Sequence, residues 1–200
     1  MVLADVIPAR RSIRRYRAEP ITDAQVERLL TAACWAPSAH NRQPWRFAVL
    51  RAEAPKARLA DAMGARLSVD RGRDGDDPAA IEADVARSRA RITGAPVVIA
   101  VCLTLADMDR YPDAARAAAE HTMAVQSTAM AVQNLLLAAS AEGLGACWMC
   151  APLFCPDVVR GALALPADWQ PQALVTIGRP ASAGKPATRR RLAELVREIA

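Results

Sequence analysis

Residues 113–142 read DAARAAAEHTMAVQSTAMAVQNLLLAASAE, thirty residues with no internal Gly or Pro. Met123, Ser127, Met130, Ala131, Asn134, Leu135 and Ala138 recur at spacings of three and four. That period is the period of an α-helix. The other side, with Ala124, Val125, Ala129, Val132 and Leu136, is apolar too. A helix apolar on nearly every face is central in a fold or lies in a subunit interface. Gly143 and Gly145 follow directly and suit the turn that closes a helix C-terminus.

Strands and helices extend outward from this helix. Upstream, Pro96–Leu103 is an apolar run of strand length, as expected for a strand buried on both faces. Two helices precede it, at about 55–69 and 79–93, separated by the Gly- and Asp-rich segment Arg71–Pro78. Phe47–Leu50 reads as a short strand. Thr22-x-x-Gln25 is a capping box, continued by Val26, Leu29, Leu30 and Ala33 until Pro37 ends the helix. Downstream come a strand at Ala146–Ala151, a helix at Pro156–Leu163, a strand at Gln172–Ile177 and a last helix at Arg191–Ile199. No repeat, low-complexity tract or linker divides the chain, so residues 1–200 are expected to form one α+β domain.

Apolar residues make up 52% and charged residues 24%, a globular balance that excludes wholesale disorder. The apolar stretch Thr93–Thr104 is too short to cross a bilayer, and no membrane partner is expected. Asp5, Arg10 and Arg11 interrupt any early apolar run, which argues against a secretory signal and for a cytoplasmic location. The net charge is +5, and all 26 cations but Lys56 and Lys185 are Arg. They cluster at Arg10–Arg17 and Arg189–Arg191 without the interleaved aromatics of a nucleic-acid face, so nucleic acid is not expected as a partner. Arg suits a bidentate grip on phosphate or carboxylate. Five cysteines are an odd number and point to reduced thiols. Cys147, Cys150 and Cys155 have no fourth Cys nearby, which favours core packing over a metal site.

Two stretches could carry chemistry. Arg10-Arg11-Ser12-Ile13-Arg14-Arg15 puts four cations and a hydroxyl in six residues. It reads either as the solvated start of a basic helix or as an anion cradle, with Arg189 and Arg190 as a second grip. Pro37-Ser-Ala-His-Asn-Arg-Gln-Pro-Trp45 is a polar loop running from a helix into a strand, a common place for binding groups. Ser38, Asn41 and Gln43 serve equally as turn formers, while the His40 imidazole can donate to a substrate. There is no G-x-G-x-x-G after a strand, no P-loop and no G-x-S-x-G elbow. His40 and His121 are too far apart in sequence to suggest zinc, and no metal is expected. If the chain is an enzyme, a bound cofactor supplies the hard chemistry.

Arg10-Arg-Ser-Ile-Arg14, Pro37–Trp45 and Gly143-Leu-Gly-Ala-Cys-Trp148 together resemble three signatures of the nitroreductase-like flavoprotein family. They come in the right order, and the resemblance runs from about residue 8 to the end. Tyr111–Arg116, Ala119–Met123 and Leu165–Trp169 are similar, more narrowly, to the C-terminal reductase domain of the bifunctional glutamate ligase of deazaflavin coenzyme biosynthesis. The resemblance implies a nitroreductase-like α+β fold, with a central, mostly antiparallel sheet flanked by helices and a long central helix. It also implies an obligate homodimer with FMN at its interface.

Carried over residue by residue, Arg10, Arg11 and Ser12 would hold the phosphate and ribityl chain, and Arg14 the N1/O2 edge of the ring. Pro37, Ser38 and Ala39 would come from the other subunit, and Asn41 would be a further cofactor contact. Met149, Cys150 and Ala151 would bring backbone amides toward N5 and O4, and Arg189 and Arg190 would complete the phosphate site. Many relatives place an Asn in the helix before the second strand; here Arg66 is carried to that pyrimidine-edge role. The implied reaction is ping-pong: NADH, NADPH or a reduced deazaflavin delivers hydride and leaves, then a nitro-compound, quinone or conjugated unsaturated substrate is reduced, with a proton from solvent or from His40. The alternatives are a reductase of a deazaflavin precursor and a flavin-binding sensor or store without turnover.

Overall fold

The computed structural model describes residues 2–199. The elements run α1 (Leu3–Ala9), α2 (Asp23–Cys34), β1 (Trp45–Leu50), α3 (Glu53–Arg73), α4 (Pro78–Thr93), β2 (Val97–Leu103) and α5 (Ala114–Ala141). They continue with β3 (Gly145–Met149), α6 (Pro156–Leu163) and β4 (Gln170–Gly178). The strands form one sheet in the order β1-β2-β4-β3, with every neighbouring pair antiparallel.

The Pro96–Leu103 run takes the central place expected of it, and every residue of β2 is buried. Side chains alternate along a strand. Val97, Ile99 and Val101 therefore pack with Val175 and Ile177 against Leu29 of α2 and Leu135 of α5. Val98, Ala100 and Leu174 face the opposite way, toward Leu59 of α3, Ile92 of α4 and Val159 of α6. The result is three layers, with α2 and α5 on one face of the sheet and α3, α4 and α6 on the other.

Local signals explain several boundaries. The Thr22 Oγ1 accepts from the Gln25 amide at 3.2 Å, and Gln25 Oε1 accepts from the Thr22 amide at 3.0 Å, closing the capping box. At the far end of α5, Gly143 takes φ +71. The Leu144 amide then donates to Ala139 O at 2.8 Å and the Gly143 amide to Ser140 O at 3.1 Å. This is the paired Schellman closure, and it sends the chain straight into β3.

Three local expectations change. The Arg191–Ile199 helix is only a 3-10 turn at Leu192–Glu194. Its apolar residues Leu192, Leu195, Val196 and Ile199 are exposed, so nothing in the protomer supplies the packing on which a short helix depends. A helix not read from sequence, α1, forms ahead of Arg10 despite Pro8. Residues 10–15 do not start a basic helix but run extended beside the sheet, because Ser12 bridges Ala146.

Candidate functional site

Arg10 closes α1 with φ −57 and ψ 132, turning the chain into an extended path. The Ile13 amide donates to Ala146 O at 3.0 Å, laying the Arg-rich segment outside β3. The Tyr16 hydroxyl anchors its far end, donating to Ile13 O at 2.5 Å and lying 2.8 Å from Thr176 Oγ1. Burial raises the Tyr16 phenol above its ordinary pKa, so it stays a neutral donor. Close approach depends on two glycines. A Cβ on Gly145 would sit 2.7 Å from Ile13 Cβ. One on Gly184, which has φ +80, would sit 2.9 Å from Arg11 Cβ.

Some of the molecule's cations are ion-paired and others are not, and this segment belongs to the second group. Elsewhere Arg28, Arg42, Arg46, Arg51, Arg71 and Arg89 each lie within 4.0 Å of a carboxylate. Among the described residues Arg10, Arg11, Arg14, Arg15, Arg91 and Lys185 have no such partner. Arg10 and Arg11 border a cleft of about 180 Å³ shared with Ser140 and Ser182. Ser12, Arg14 and Arg15 border a groove of about 600 Å³ with Arg91 of α4 and Lys185. Burial pushes the Cys147 thiol of β3 up in pKa, while the charges of Arg14, Arg91 and Arg10 pull it down. Clustered cations without counter-ions repel one another, and an arriving anion relieves that cost.

Farther along the same edge, β3 ends at Met149 and the chain enters a 3-10 turn at Ala151–Phe154. The Ala151 amide, first in that turn, has no acceptor within it. Cys150 is exposed, and the Trp148 Nε1 donates to its sulfur at 2.7 Å. Cys147 and Cys155 are buried, and burial raises both thiols. No three His, Cys, Asp or Glu residues gather as metal donors among the described residues.

The Pro37–Trp45 loop is built on the other side. His40, Asn41 and Gln43 all have left-handed backbones, with φ of 48, 54 and 49. Three such residues in one short loop store strain, a feature that clusters at functional sites. The surroundings hold it in place: Ser38 Oγ accepts from the Gln43 amide at 3.0 Å, and the Thr104 amide donates to Pro44 O at 2.9 Å. Arg42 reaches Asp109 at 2.6 Å, and the Ala39 amide points to Ser127 Oγ at 3.4 Å. His40 is exposed and its ring has no hydrogen-bond partner in the described residues. Asn41 borders a separate groove along α2, with Trp35 and Val49.

The structure thus gathers Arg10, Arg11, Ser12, Arg14, Met149, Cys150 and Ala151 along one edge of the sheet. Pro37, Ser38, Ala39, His40 and Asn41 lie elsewhere in the protomer. Arg189 and Arg190 sit exposed on the C-terminal tail, away from the Arg10–Arg14 grooves. Arg66 is engaged by Asp70 at 2.8 Å and Asp157 at 3.5 Å. Its hydrogen bond to Asp70 raises its pKa. Arg91 and Lys185 were not anticipated. The i,i+4 pair Arg87 and Arg91 marks a basic helix face, but nothing in sequence ties α4 to the N-terminal segment.

Residues 7–179 match the Nitroreductase family, and the chain belongs to it. It is 34% identical over 184 residues to the 5,6-dimethylbenzimidazole synthase of Rhodobacter capsulatus, across 89% of this chain and 83% of that one. It is 31% identical to the NADH dehydrogenase of Thermus thermophilus, across 94% and 91%. A solved structure from Desulfovibrio desulfuricans, a nitroreductase-like protein in complex with FMN, superposes with a TM-score of 0.77. Its sequence is 34% identical, and the alignment covers 100% of this chain and 98% of that one. No helix among the described residues is long and apolar enough to cross a membrane.

Proposed function

We propose that the chain is an FMN-dependent oxidoreductase that takes hydride from NADH or NADPH and passes it, in ping-pong order, to an electron-poor small molecule. The observation that carries this reading is the set of bare cations around Ser12, on the same sheet edge as exposed Cys150 and the Ala151 amide that opens the 3-10 turn. The donor set fits FMN: cations and a hydroxyl for the phosphate end, then a free amide for the ring. FMN supplies the hydride chemistry when bound.

In this reading Arg10, Arg11 and Ser12 hold the phosphate and ribityl chain, and Arg14 lies at the N1/O2 edge. A cation there stabilises the negative charge that reduction brings. Backbone at Met149, Cys150 and Ala151 orients the N5 and O4 side. Arg66, which the resemblance carries to the pyrimidine edge, lies on α3 paired with Asp70. Arg189 and Arg190 reach the phosphate only if the tail moves or docks on a second subunit. Pro37, Ser38, Ala39, Asn41 and His40 are supplied by that second subunit, with His40 holding a proton for the acceptor. A homodimer is supported by exposed Met130 on α5, Trp35 and the apolar tail residues.

Two narrower readings have their own support. Relatives named 5,6-dimethylbenzimidazole synthase favour the first, since FMN carries a dimethyl-substituted benzene ring of the same pattern as that product. The Tyr111–Arg116 and Leu165–Trp169 stretches favour the second, a reductase working with a deazaflavin. Anaerobic turnover with NADH, NADPH and a reduced deazaflavin, plus aerobic incubation analysed for 5,6-dimethylbenzimidazole, separates all three. A flavin that no donor reduces would leave a sensor or store.

A further inference from the structure

Near the start of α5, Glu120 is only 6% exposed. Among the described residues no hydrogen bond or ion pair reaches its carboxylate, although its neighbours His121 and Thr122 are both engaged. Its oxygens are not sealed in protein, because Thr128 Oγ1 is the single fully enclosed side-chain polar atom without a partner among the described residues. They open into a cavity of about 580 Å³ between the β2–α5 connection and the start of β4, within the size range of small-molecule pockets. A buried carboxylate left bare carries a desolvation cost that an arriving cation offsets.

The walls of this cavity are fixed by their own bonds. The Thr104 hydroxyl donates to Asp168 Oδ2 at 2.7 Å and accepts from the Ala106 amide at 3.2 Å. Gln170 Oε1 lies 3.1 Å from His121 Nε2, and the Arg116 guanidinium sits 4.7 Å over the Tyr111 ring. Leu105, Met108 and Tyr111 supply an apolar side. Asp109 also faces the cavity but is taken by Arg42 at 2.6 Å, which leaves Glu120 and Asp168 as its carboxylates without a cation. Arg110, the one cation on the lining, is exposed and has no carboxylate within 4.0 Å among the described residues. No three His, Cys, Asp or Glu residues gather as metal donors among the described residues, which favours an organic cation over a metal ion.

We propose that this cavity binds a small organic cation, a primary ammonium on an aromatic or alkyl body. Glu120 holds the ammonium, Asp168 adds negative charge, and Leu105, Met108 and Tyr111 cover the body. An ammonium carries three donors, enough to answer a bare carboxylate and a second acceptor beside it. None of these residues is assigned to the flavin, so the proposal stands or falls apart from the FMN reading.

The test is calorimetric titration of the full chain, with FMN present, using phenethylamine, its neutral analogue 2-phenylethanol, and calcium chloride. The amine should bind about tenfold more tightly than the alcohol or better, and calcium should neither bind nor displace it. Glu120→Gln, which keeps the side chain's size, should bring the amine down to the affinity of the alcohol. Tyr111→Ala, at an exposed wall position, should weaken amine and alcohol together. Melting temperature and FMN content report whether each variant is folded, and the amine–alcohol comparison on wild type needs no variant at all. An amine that binds no better than the alcohol, as it would if Arg110 swung onto Glu120, would overturn the proposal. So would calcium taking the amine's place, or a folded Glu120→Gln protein that binds the amine as wild type does.

Discussion

Ser12 and Trp45 stand at diagonally opposite corners of one sheet. Trp45 pairs with Leu103, which pairs with Gln170 at the start of β4; Ser12 bridges Ala146, which pairs with Ile177 near the end of β4. Four inter-strand steps and seven residues along the strand separate them by roughly 30 Å. The two sequence stretches richest in binding chemistry therefore cannot meet on one small ligand within a protomer. Cys150, four residues along the chain from Ala146, lies only about 14 Å away from it. The Ser12 edge can hold both ends of a flavin; the Trp45 loop joins it only from another chain.

That separation predicts complementation. An Arg14→Ala protein and a protein with Ser38 and His40 both changed to Ala should each lose most activity. Refolded together in equal amounts, they should recover about a quarter of the wild-type sites, since half the dimers are mixed and each carries one intact site. No recovery in proven mixed dimers would place both residues in the same half of the site.

Flavin retention tests the phosphate end. Arg10→Ala should weaken FMN binding by about 1.5–3 kcal/mol, the scale of a charge-assisted contact, measured by dilution and gel filtration. Arg190→Ala separates the roles of the tail: loss of FMN means the tail folds back onto the site, and full retention leaves Lys185 as the nearer cation.

Gly145→Ala should harm both fold and site. The new Cβ would lie 2.7 Å from Ile13 Cβ, against a segment pinned on both sides. Overpacking of this kind costs about 1–3 kcal/mol, visible as a melting temperature several degrees lower, together with reduced FMN content. Gly72, which has open space around it, is the control: Gly72→Ala should not lower stability.

Much of this was legible in the sequence, for reasons that lie in particular residues. The α5 period, the Thr22 capping box and the all-apolar β2 are local patterns with one sterically sensible outcome. The Arg10–Arg14 segment gave its chemistry but not its conformation, because its extended path depends on Ala146 and on Gly145 and Gly184, far along the chain. Arg91 was invisible, since α4 approaches Ser12 only through tertiary packing. The Arg191–Ile199 segment has a helical pattern but no surface to pack on in the protomer.

Thiol chemistry gives a pH signature. Burial pushes Cys102 up to about 12 from an ordinary 9.0, and raises Cys147 and Cys155 as well. The folded state thus holds protons that the unfolded state releases above pH 9. The associated stability is whole below that pH and is lost as pH rises toward 12. Urea melts should weaken over that window, and Cys102→Ala should flatten the slope. In the native protein a thiol reagent should modify Cys34 and Cys150, with the three buried cysteines reacting only after unfolding.

His40 carries the acceptor half of the proposed cycle. Its φ of 48 makes glycine the better probe, because His40→Gly removes the imidazole while relieving backbone strain. Reduction of the flavin by NADH or NADPH should stay within a few-fold of wild type, and reoxidation by the acceptor should slow by about 10²-fold if proton transfer limits it. Equal slowing of both halves would point to general damage to the loop instead.

The central claim is that the chain binds FMN and passes hydride through it. The most direct measurement is an anaerobic titration of the flavin-loaded protein, followed by its visible spectrum. One FMN per chain should bleach on addition of one equivalent of NADH or NADPH and return in full with one equivalent of a quinone or nitro-compound. A protein that retains no FMN after reconstitution, or whose bound FMN neither nicotinamide reduces, would contradict the account.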